Sequence, residues 1–237
     1  VDMKLARSNG EFPIIEGKQG AYIEPTAAVS TIYDYVMYQW NGMETALSLP
    51  VEIEEPKGTV EELSMVKDVL GSYSTSYSTS AAARVANVEN GTRLLNGVTL
   101  YPGETFSTLE LVTPFTEANG YAMAGSYLNG LVVDSLGGGI CQVSTTLYNA
   151  VLFAELEVTQ RSNHSMSVAY VPLSADAAIA ESAGKDFCFT NSTDYPIYIE
   201  GYTTPERRVT FNIYGVETRK DGYTFNFVTE VMETIQA

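Results

Sequence analysis

The sequence is poor in the residues that build metal sites and disulfide frameworks. It holds one histidine and two cysteines among 237 residues. A single imidazole without a Cys-x-x-Cys motif does not build the usual zinc sites, so we expect neither a metal ion nor another cofactor. Two cysteines give no disulfide framework, although a bridge between Cys141 and Cys188 stays an alternative in an oxidising compartment. Such a bridge would remove the free thiol of Cys141.

Basic residues and long apolar runs are also scarce. Lysine and arginine number 13 against 29 aspartates and glutamates, which gives a net charge of −16. Nucleic-acid binding relies on clustered cations, so we exclude it. The acidic surplus indicates a charged, solvated surface, and a substrate that carries amines is the alternative. No apolar run reaches the roughly 20 residues that cross a bilayer. The first residues do not resemble a secretion signal, so we expect any native membrane anchor upstream of Val1.

The first 57 residues read as a small α/β module. Short extended pieces are predicted at 12–15 and 21–23, a helix from residue 25 or 26 to 40, and a strand at 46–54. Pro56 and Gly58 then end the module. It resembles the latter part of a peptidoglycan-binding-like module, and a generic α/β spacer is the alternative.

Residues 58–237 read as a second domain of α+β class, in which helices precede a mainly antiparallel sheet. A capping box from Thr59 to Glu62 predicts a helix at 60–70 that Gly71 ends. Further helices are predicted at 81–95 and 141–157, with an extended segment at 72–80 between the first two. Alternating apolar and polar residues predict strands in the second half, at 166–171, 187–190, 197–202, 209–214 and 223–231.

The most informative stretch is 137–149, GGGICQVSTTLYN, which places Cys141 where a glycine turn becomes a helix. The first amides of a helix lack partners and the helix dipole favours negative charge there, so we expect a depressed thiol pKa. The same unpaired amides, near Gly138, Gly139, Ile140 and Gln142, are candidates for an oxyanion hole. A buried, inert cysteine is the alternative.

The only histidine, His164, follows Cys141 by 23 residues. If a helix runs from Cys141 and a strand follows at 166–171, the chain turns back beside the helix and brings His164 to its start. A cysteine and a histidine in contact form the activated nucleophile of acyl-transfer enzymes. A structural, hydrogen-bonding histidine is the alternative.

Several motifs together resemble the VanW domain, over about residues 59–203. They are 70–75 (LGSYST), 95–97 (LNG), 100–107 (LYPGETFS), 137–149, 161–164 (RSNH), 170–171 (YV), 176–177 (DA) and 189–197 (FTNSTDYPI). VanW domains occur mainly in Gram-positive bacteria, in proteins that are usually membrane-anchored and face the cell wall. Their name comes from glycopeptide-resistance gene clusters. Some members are linked to L,D-transpeptidase activity, which forms 3-3 cross-links in peptidoglycan through a catalytic cysteine.

The resemblance implies that Cys141 is the nucleophile and His164 its base. The family pattern Gly-Arg-Asp-Ala appears here with serine and alanine before Asp176, so the aspartate is kept and the arginine is not. Asp176 is therefore a candidate to orient His164, and a turn or cap role is the alternative.

The predicted function is that of a peptidoglycan L,D-transpeptidase at the extracellular face of the membrane, acting on stem peptides through a cysteine thioester. Two alternatives stay open: a cysteine peptidase or carboxypeptidase on the same peptides, and a non-catalytic wall-binding module. Candidate substrate contacts are Gln142, Ser144 and Arg161. Amide capping at the helix start for the first two, and a surface ion pair for the third, are the alternatives. No oligomeric state follows from the sequence.

Overall fold

The computed structural model describes residues 1–128, 131–220, 226 and 228–233. The helices are α1 (Pro25–Tyr38), α2 (Val60–Ser64), α3 (Ala82–Leu95), α4 (Thr108–Val112) and α5 (Ile140–Phe153), with short 3₁₀ helices at Glu117–Asn119 and Glu181–Ala183. The strands are β1 (Lys4–Leu5), β2 (Ile14–Ile15), β3 (Gly20–Tyr22), β4 (Glu52–Glu54), β5 (Asp68–Ser76), β6 (Val98–Leu100), β7 (Thr105–Ser107), β8 (Met123–Leu128), β9 (Leu131–Leu136), β10 (Glu157–Gln160), β11 (Cys188–Thr190), β12 (Ile197–Thr203) and β13 (Arg208–Gly215). The class is α+β, as predicted.

A four-stranded antiparallel sheet, in the order β5-β13-β12-β6, supports the centre of the molecule. Helix α5 packs on β5 and β13, and α3 packs on β12 and on α5. Their shared core is fully buried and includes Leu147 and Val151 from α5 with Ile199, Phe211 and Ile213 from the sheet. Helix α5 is therefore held rigidly along its length.

The predicted helix at 60–70 is wrong in its second half. The capping box is present, with Glu62 N–H donating to the Thr59 hydroxyl at 3.1 Å, but α2 ends at Ser64. The chain then enters β5, which pairs with β13. Gly71 lies inside that strand, where a Cβ atom would overlap the Ala150 carbonyl oxygen of α5. The glycine thus permits close contact between strand and helix, which is a long-range requirement. In the sequence alone, the same glycine looks like the end of a helix.

The predicted strand at 166–171 is also wrong. Burial does alternate along it, since residues 166, 168 and 170 are half-buried and 165, 167 and 169 are exposed. In the described part of the chain, however, no strand pairs with this segment, so it stays irregular. The other second-half strands, β11, β12 and β13, agree with the prediction within about two residues at each end.

The remaining strands form smaller units. Strands β10, β11 and β7 make a three-stranded antiparallel sheet, and β8 and β9 form a hairpin. The predicted strand at 223–231 lies partly outside the described residues, and its described residues, 226 and 228–231, are not in a strand. Among the described residues, no helix has both the length and the apolar character needed to span a bilayer.

The N-terminal module contains β1 to β4 and α1, and its predicted 46–54 strand is reduced to β4. Leu5 of β1 is buried with Leu63, Tyr101, Tyr198 and Tyr214, so the start of the chain packs on the second domain. The division at residue 57 stays a prediction.

Candidate active site

A glycine turn positions Cys141 at the second residue of α5. Gly139 is the N-cap residue and has a φ of 105°, a left-handed conformation that favours glycine. A Cβ atom on Gly138 would overlap the Ala124 carbonyl oxygen of β8. The buried Asn87 of α3 fixes the same turn, because its side-chain amide donates to the Gly138 carbonyl at 2.9 Å. The predicted helix start is confirmed.

Only part of the predicted set of amides is available at this helix start. The N–H groups of Gly138, Ile140 and Gln142 donate to carbonyls of the turn, namely those of Ser135, Gly137 and Gly139. Within the described turn, the Cys141 N–H donates to no carbonyl. Within the described residues, the Gly139 N–H has no backbone acceptor. The amides of Gly139 and Cys141 therefore stay candidates for the predicted oxyanion hole.

The Cys141 thiol is partly buried and hydrogen-bonded. Its Sγ atom donates to the Ile179 carbonyl oxygen at 3.4 Å. Burial of the sulfur raises the thiol pKa, and the negative charge of Asp176 adds to the rise, whereas the Arg84 guanidinium opposes it. The expected depression of the thiol pKa is therefore wrong, because desolvation outweighs the favourable charges.

A segment without regular secondary structure, 175–179, joins Cys141 to the other site residues. All five of its residues are buried. Alternate carbonyls of the segment accept hydrogen bonds from α5: that of Ala175 from Asn149, that of Ala177 from Ser144 and Thr145, and that of Ile179 from Cys141. The polar face of α5 thus lies along one edge of the segment.

The opposite edge of the 175–179 segment holds the chain around His164. The Ala178 N–H donates to the Ser162 carbonyl at 2.7 Å, and Arg161 Nε donates to the Asp176 carbonyl at 2.7 Å. The segment therefore lies between the cysteine helix and the histidine loop, with Asp176 only three residues from the carbonyl that Cys141 contacts.

Asp176 and His164 form a tightly bonded pair. The Asp176 Oδ2 atom lies 2.6 Å from His164 Nδ1 and accepts the His164 backbone N–H at 2.7 Å. The His164 side chain is only 6% exposed. Although burial opposes ionisation, hydrogen bonds from the His164 backbone and ring, with the charges of His164 and Arg161, lower the pKa of Asp176. An ionised carboxylate only accepts hydrogen bonds, so Nδ1 carries a proton and, in the neutral ring, Nε2 is left as the base.

Arg161 lies against the same carboxylate. Its Nη2 atom donates to Asp176 Oδ1 at 3.0 Å and to the Ser174 carbonyl at 3.0 Å, and its guanidinium lies over the Tyr148 ring. These contacts hold Asp176 in place, so the arginine pairs with a site residue and not with a surface acid.

Gln142 and Ser144 have structural contacts. Gln142 is 1% exposed, and its amide nitrogen donates to the Thr75 hydroxyl at 3.0 Å and the Ser76 carbonyl at 2.9 Å. Ser144 is buried and donates to the Ala177 carbonyl at 2.7 Å. Neither side chain faces open space, so both fix α5 against its neighbours in place of the substrate contact considered from the sequence.

Two residues near Cys141 were not singled out from the sequence. Arg84 of α3 donates to Gln142 Oε1 at 2.8 Å and to the Ser80 hydroxyl at 2.7 Å, and its side chain lies against Gly139. Tyr170 lies near Cys141 and Thr145, and burial raises the pKa of its hydroxyl. Tyr170 belongs to one of the family motifs, so the sequence could have identified it as a site residue. Arg84 had no such signal, because its role depends on helix packing.

A groove of about 390 Å³ adjoins the pair formed by His164 and Asp176. It is lined by residues between 161 and 176 that include Arg161, His164 and Asp176. We call it the 161–176 groove. Tyr127 of the β8–β9 hairpin meets the His164 ring edge-on at 6.2 Å between centroids.

The second cysteine, Cys188, lies in the β10-β11-β7 sheet, where its thiol donates to Asp186 at 3.2 Å. Both cysteines are free, so the alternative disulfide is absent.

Comparisons with known proteins place this arrangement in a family. The protein YoaR of Bacillus subtilis (strain 168) is 33% identical over 192 residues, which are 81% of this chain and 62% of that protein. The vancomycin B-type resistance protein VanW of Enterococcus faecalis (strain ATCC 700802 / V583) is 33% identical over 123 residues, 49% of this chain and 44% of that protein. The chain thus spans less than two thirds of each relative's length.

No solved structure matches this chain. The family model described as "VanW like protein" matches residues 83–214, more than half of the chain and a range that contains Cys141, His164 and Asp176. This chain belongs to the VanW-like family.

Proposed function

We propose that this chain is a cell-wall acyltransferase, an L,D-transpeptidase that acts on peptidoglycan stem peptides outside the membrane. One observation carries the proposal: an ionised Asp176 orients His164, and the segment that holds Asp176 also contacts the Cys141 thiol. Thiol, imidazole and carboxylate are the groups that nucleophilic acyl transfer requires. The name of the Enterococcus relative, which refers to vancomycin resistance, supports a role at the cell wall.

In the first step, Cys141 Sγ attacks the carbonyl carbon of the third stem residue, in its amide bond to the terminal D-residue. Because the resting thiol is protonated, His164 takes its proton as the carbon–sulfur bond forms. The amide carbon–nitrogen bond then breaks, and the imidazolium returns the proton to the leaving amine of the terminal D-residue. A thioester on Cys141 is left. The amides of Gly139 and Cys141 stabilise the oxyanion of the tetrahedral intermediate.

In the second step, an acceptor amine from another stem attacks the thioester. The new carbon–nitrogen bond forms while the carbon–sulfur bond breaks, and the sulfur leaves as a thiolate. His164 accepts the proton of the attacking amine and delivers it to the thiolate, which restores the resting thiol. The product is a 3-3 cross-link. Attack by water in place of the amine would give the shortened stem of a carboxypeptidase.

The proposal is tested by incubating the protein with disaccharide-tetrapeptide and analysing the products by mass spectrometry. We expect cross-linked dimers, loss of the terminal D-residue and, in trapped samples, a mass increase on Cys141. The Cys141→Ala variant should form neither product nor adduct. Cys188→Ala is the matched control, because it removes the other thiol, and it should keep activity. Dimers at an equal rate from Cys141→Ala would contradict the proposal, and shortened monomers alone would assign the peptidase function.

A non-catalytic wall-binding module is the second candidate, and the partly buried, hydrogen-bonded state of the Cys141 thiol favours it. That function predicts that Cys141→Ala leaves binding to insoluble peptidoglycan unchanged and that no product forms from any stem peptide. A sedimentation assay with purified sacculi, run beside the product analysis, separates it from the transferase.

A further inference from the structure

The side chain of Arg84 lies beside the turn that precedes Cys141. It packs so closely on Gly139 that a Cβ atom there would meet Arg84 Cγ at 2.7 Å. Its Nη2 atom donates to the side-chain oxygen of Gln142 at 2.8 Å. Because Gly139 and Gln142 flank Cys141 in the chain, the guanidinium lies next to the residue that forms the proposed thioester. Burial raises the pKa of the Cys141 thiol and the positive charge of Arg84 opposes that rise, which agrees with this position.

The positive charge of Arg84 is not balanced by a carboxylate, although the side chain is half-buried. Its hydrogen bonds go to Gln142 Oε1 and to the Ser80 hydroxyl, which are neutral acceptors. Among the described residues, none of the salt bridges includes Arg84. A guanidinium has five N–H donors, so Arg84 can bind a further acceptor while it keeps both of these bonds.

Arg161, the other arginine of the site, differs from Arg84 in this respect. Its guanidinium donates to Asp176 Oδ1 at 3.0 Å, so its charge is compensated within the protein. The 161–176 groove therefore presents an arginine that already has its carboxylate. Arg84, on the Cys141 side of the site, is the arginine with room for the carboxylate of a ligand.

The donor peptide of the proposed reaction supplies such a carboxylate. Its terminal D-residue ends in a free carboxylate, which lies within about 4 Å of the carbon that Cys141 attacks. A guanidinium matches the planar geometry of a carboxylate, and the hydrogen bonds between them are short and strong. The net charge of −16 repels anions over long range, but physiological salt screens charges beyond roughly 8 Å. The direct contact with Arg84 therefore decides whether the carboxylate is bound.

We propose that Arg84 is a specificity-determining residue that binds the terminal carboxylate of the donor stem peptide. This inference rests on the proposed transferase function and deepens it, because it names the part of the donor that is recognised beside Cys141. The carboxylate departs with the terminal D-residue when the amide bond breaks as described above. Peptides that lack a free carboxylate at this end are poor donors.

The test compares two donors that differ only at this carboxylate, a disaccharide-tetrapeptide and its C-terminal amide. In the parent protein, we expect kcat/KM for release of the terminal residue to be about tenfold or more higher for the free acid, because the amide forms no charge-assisted pair. Arg84→Met should bring the ratio of the two kcat/KM values close to one. Loss of the Arg84 charge also acts on the thiol, but that effect is common to both donors and cancels in the ratio.

Arg93→Met is the matched control and should keep the parent ratio. Arg93 belongs to the same helix, but it is exposed and bonded to Asn90. Arg84→Lys should retain part of the preference, since an ammonium keeps the charge without the planar fork. A donor that is amidated at an internal carboxylate and free at its terminus should react like the unmodified peptide.

Three results would overturn the assignment. Equal rates for the acid and the amide in the parent protein would do so without any variant. A preference that persists unchanged in Arg84→Met would place the carboxylate elsewhere. Dependence on the internal carboxylate in place of the terminal one would show that Arg84 meets a different part of the donor.

A binding measurement separates this inference from the transferase itself. In the Cys141→Ala protein, calorimetric titration should show the tetrapeptide binding about tenfold more tightly than its C-terminal amide. Adding Arg84→Met should abolish that difference. Carboxylate-dependent binding without turnover would retain the site while the proposed transferase fails. Turnover of both donors at equal rates would retain the transferase and refute the role of Arg84.

Discussion

A single carboxylate oxygen of Asp176 meets both the ring and the backbone of His164. Oδ2 lies 2.6 Å from His164 Nδ1 and 2.7 Å from the His164 backbone nitrogen. Since Oδ1 of the same carboxylate is bonded to Arg161, both oxygens are occupied. The imidazole therefore has its tautomer and its orientation set by one side chain, which is itself anchored in the segment that contacts Cys141.

Asp176→Asn should reduce turnover strongly while the fold persists. The amide can donate to Nδ1, which favours the tautomer with the proton on Nε2 and removes the base. We expect cross-linking to fall by about 100-fold, within the range of general acid–base catalysis. The rate of dimer formation by mass spectrometry measures the loss. Asp194→Asn, at an exposed turn position, is the control. Full activity of the Asp176→Asn variant would remove Asp176 from the mechanism.

The stability contributed by Asp176 should depend on pH in one direction. Its folded pKa is lowered from 3.8, so the carboxylate stabilises the protein at pH values above that figure. This contribution is lost as the pH falls through the lowered pKa, because the folded state must then take up a proton. Urea unfolding at pH 7 and at pH 3 should show a larger difference between the parent and Asp176→Asn at pH 7. A difference that grows toward pH 3 would contradict the assigned direction.

The parts of the site that depend only on neighbouring residues were predicted from the sequence. The glycines of 137–139 need no tertiary information to mark a turn, and the start of the helix that follows was placed correctly. Its predicted end at 157 was wrong, because α5 ends at Phe153 and β10 begins at Glu157. His164 and Asp176 were proposed from the single imidazole and the family motif, and the structure brings them into contact. The shift of the thiol pKa was predicted in the wrong direction, because burial of the sulfur by the 175–179 segment is a long-range effect.

The remaining errors also come from long-range packing. Gly71 and the alternating residues 166–171 carry signals that the sequence assigns to a helix end and to a strand. Their real states depend on whether α5 or a partner strand lies beside them. Arg84 likewise gains its place only because α3 packs on α5.

Arg84 should control the reactivity of Cys141. Its positive charge opposes the rise in the thiol pKa that burial causes, so Arg84→Met should raise that pKa further. The rate of iodoacetamide alkylation against pH measures the effect, in a Cys188→Ala background that leaves one thiol. We expect slow alkylation at neutral pH and a profile displaced to higher pH in Arg84→Met. Arg84→Lys should retain part of the effect.

Arg93→Met provides the matched control for Arg84, since Arg93 lies on the same helix, is exposed, and donates to Asn90. Its alkylation profile should coincide with that of the parent. A profile of Arg84→Met that also coincides would mean that the guanidinium does not act on the sulfur.

Gly71→Ala should destabilise the protein even though alanine is small. The added methyl group would overlap the Ala150 carbonyl oxygen and crowd the Ala154 nitrogen, so β5 and α5 would have to separate. Overpacking of this kind costs about 1–3 kcal/mol of unfolding free energy, which urea denaturation measures. Gly20→Ala is the control, because its Cβ atom meets Glu54 at 3.5 Å, an ordinary contact. Equal stability of the two variants would mean that the contact between β5 and α5 is looser than the structure indicates.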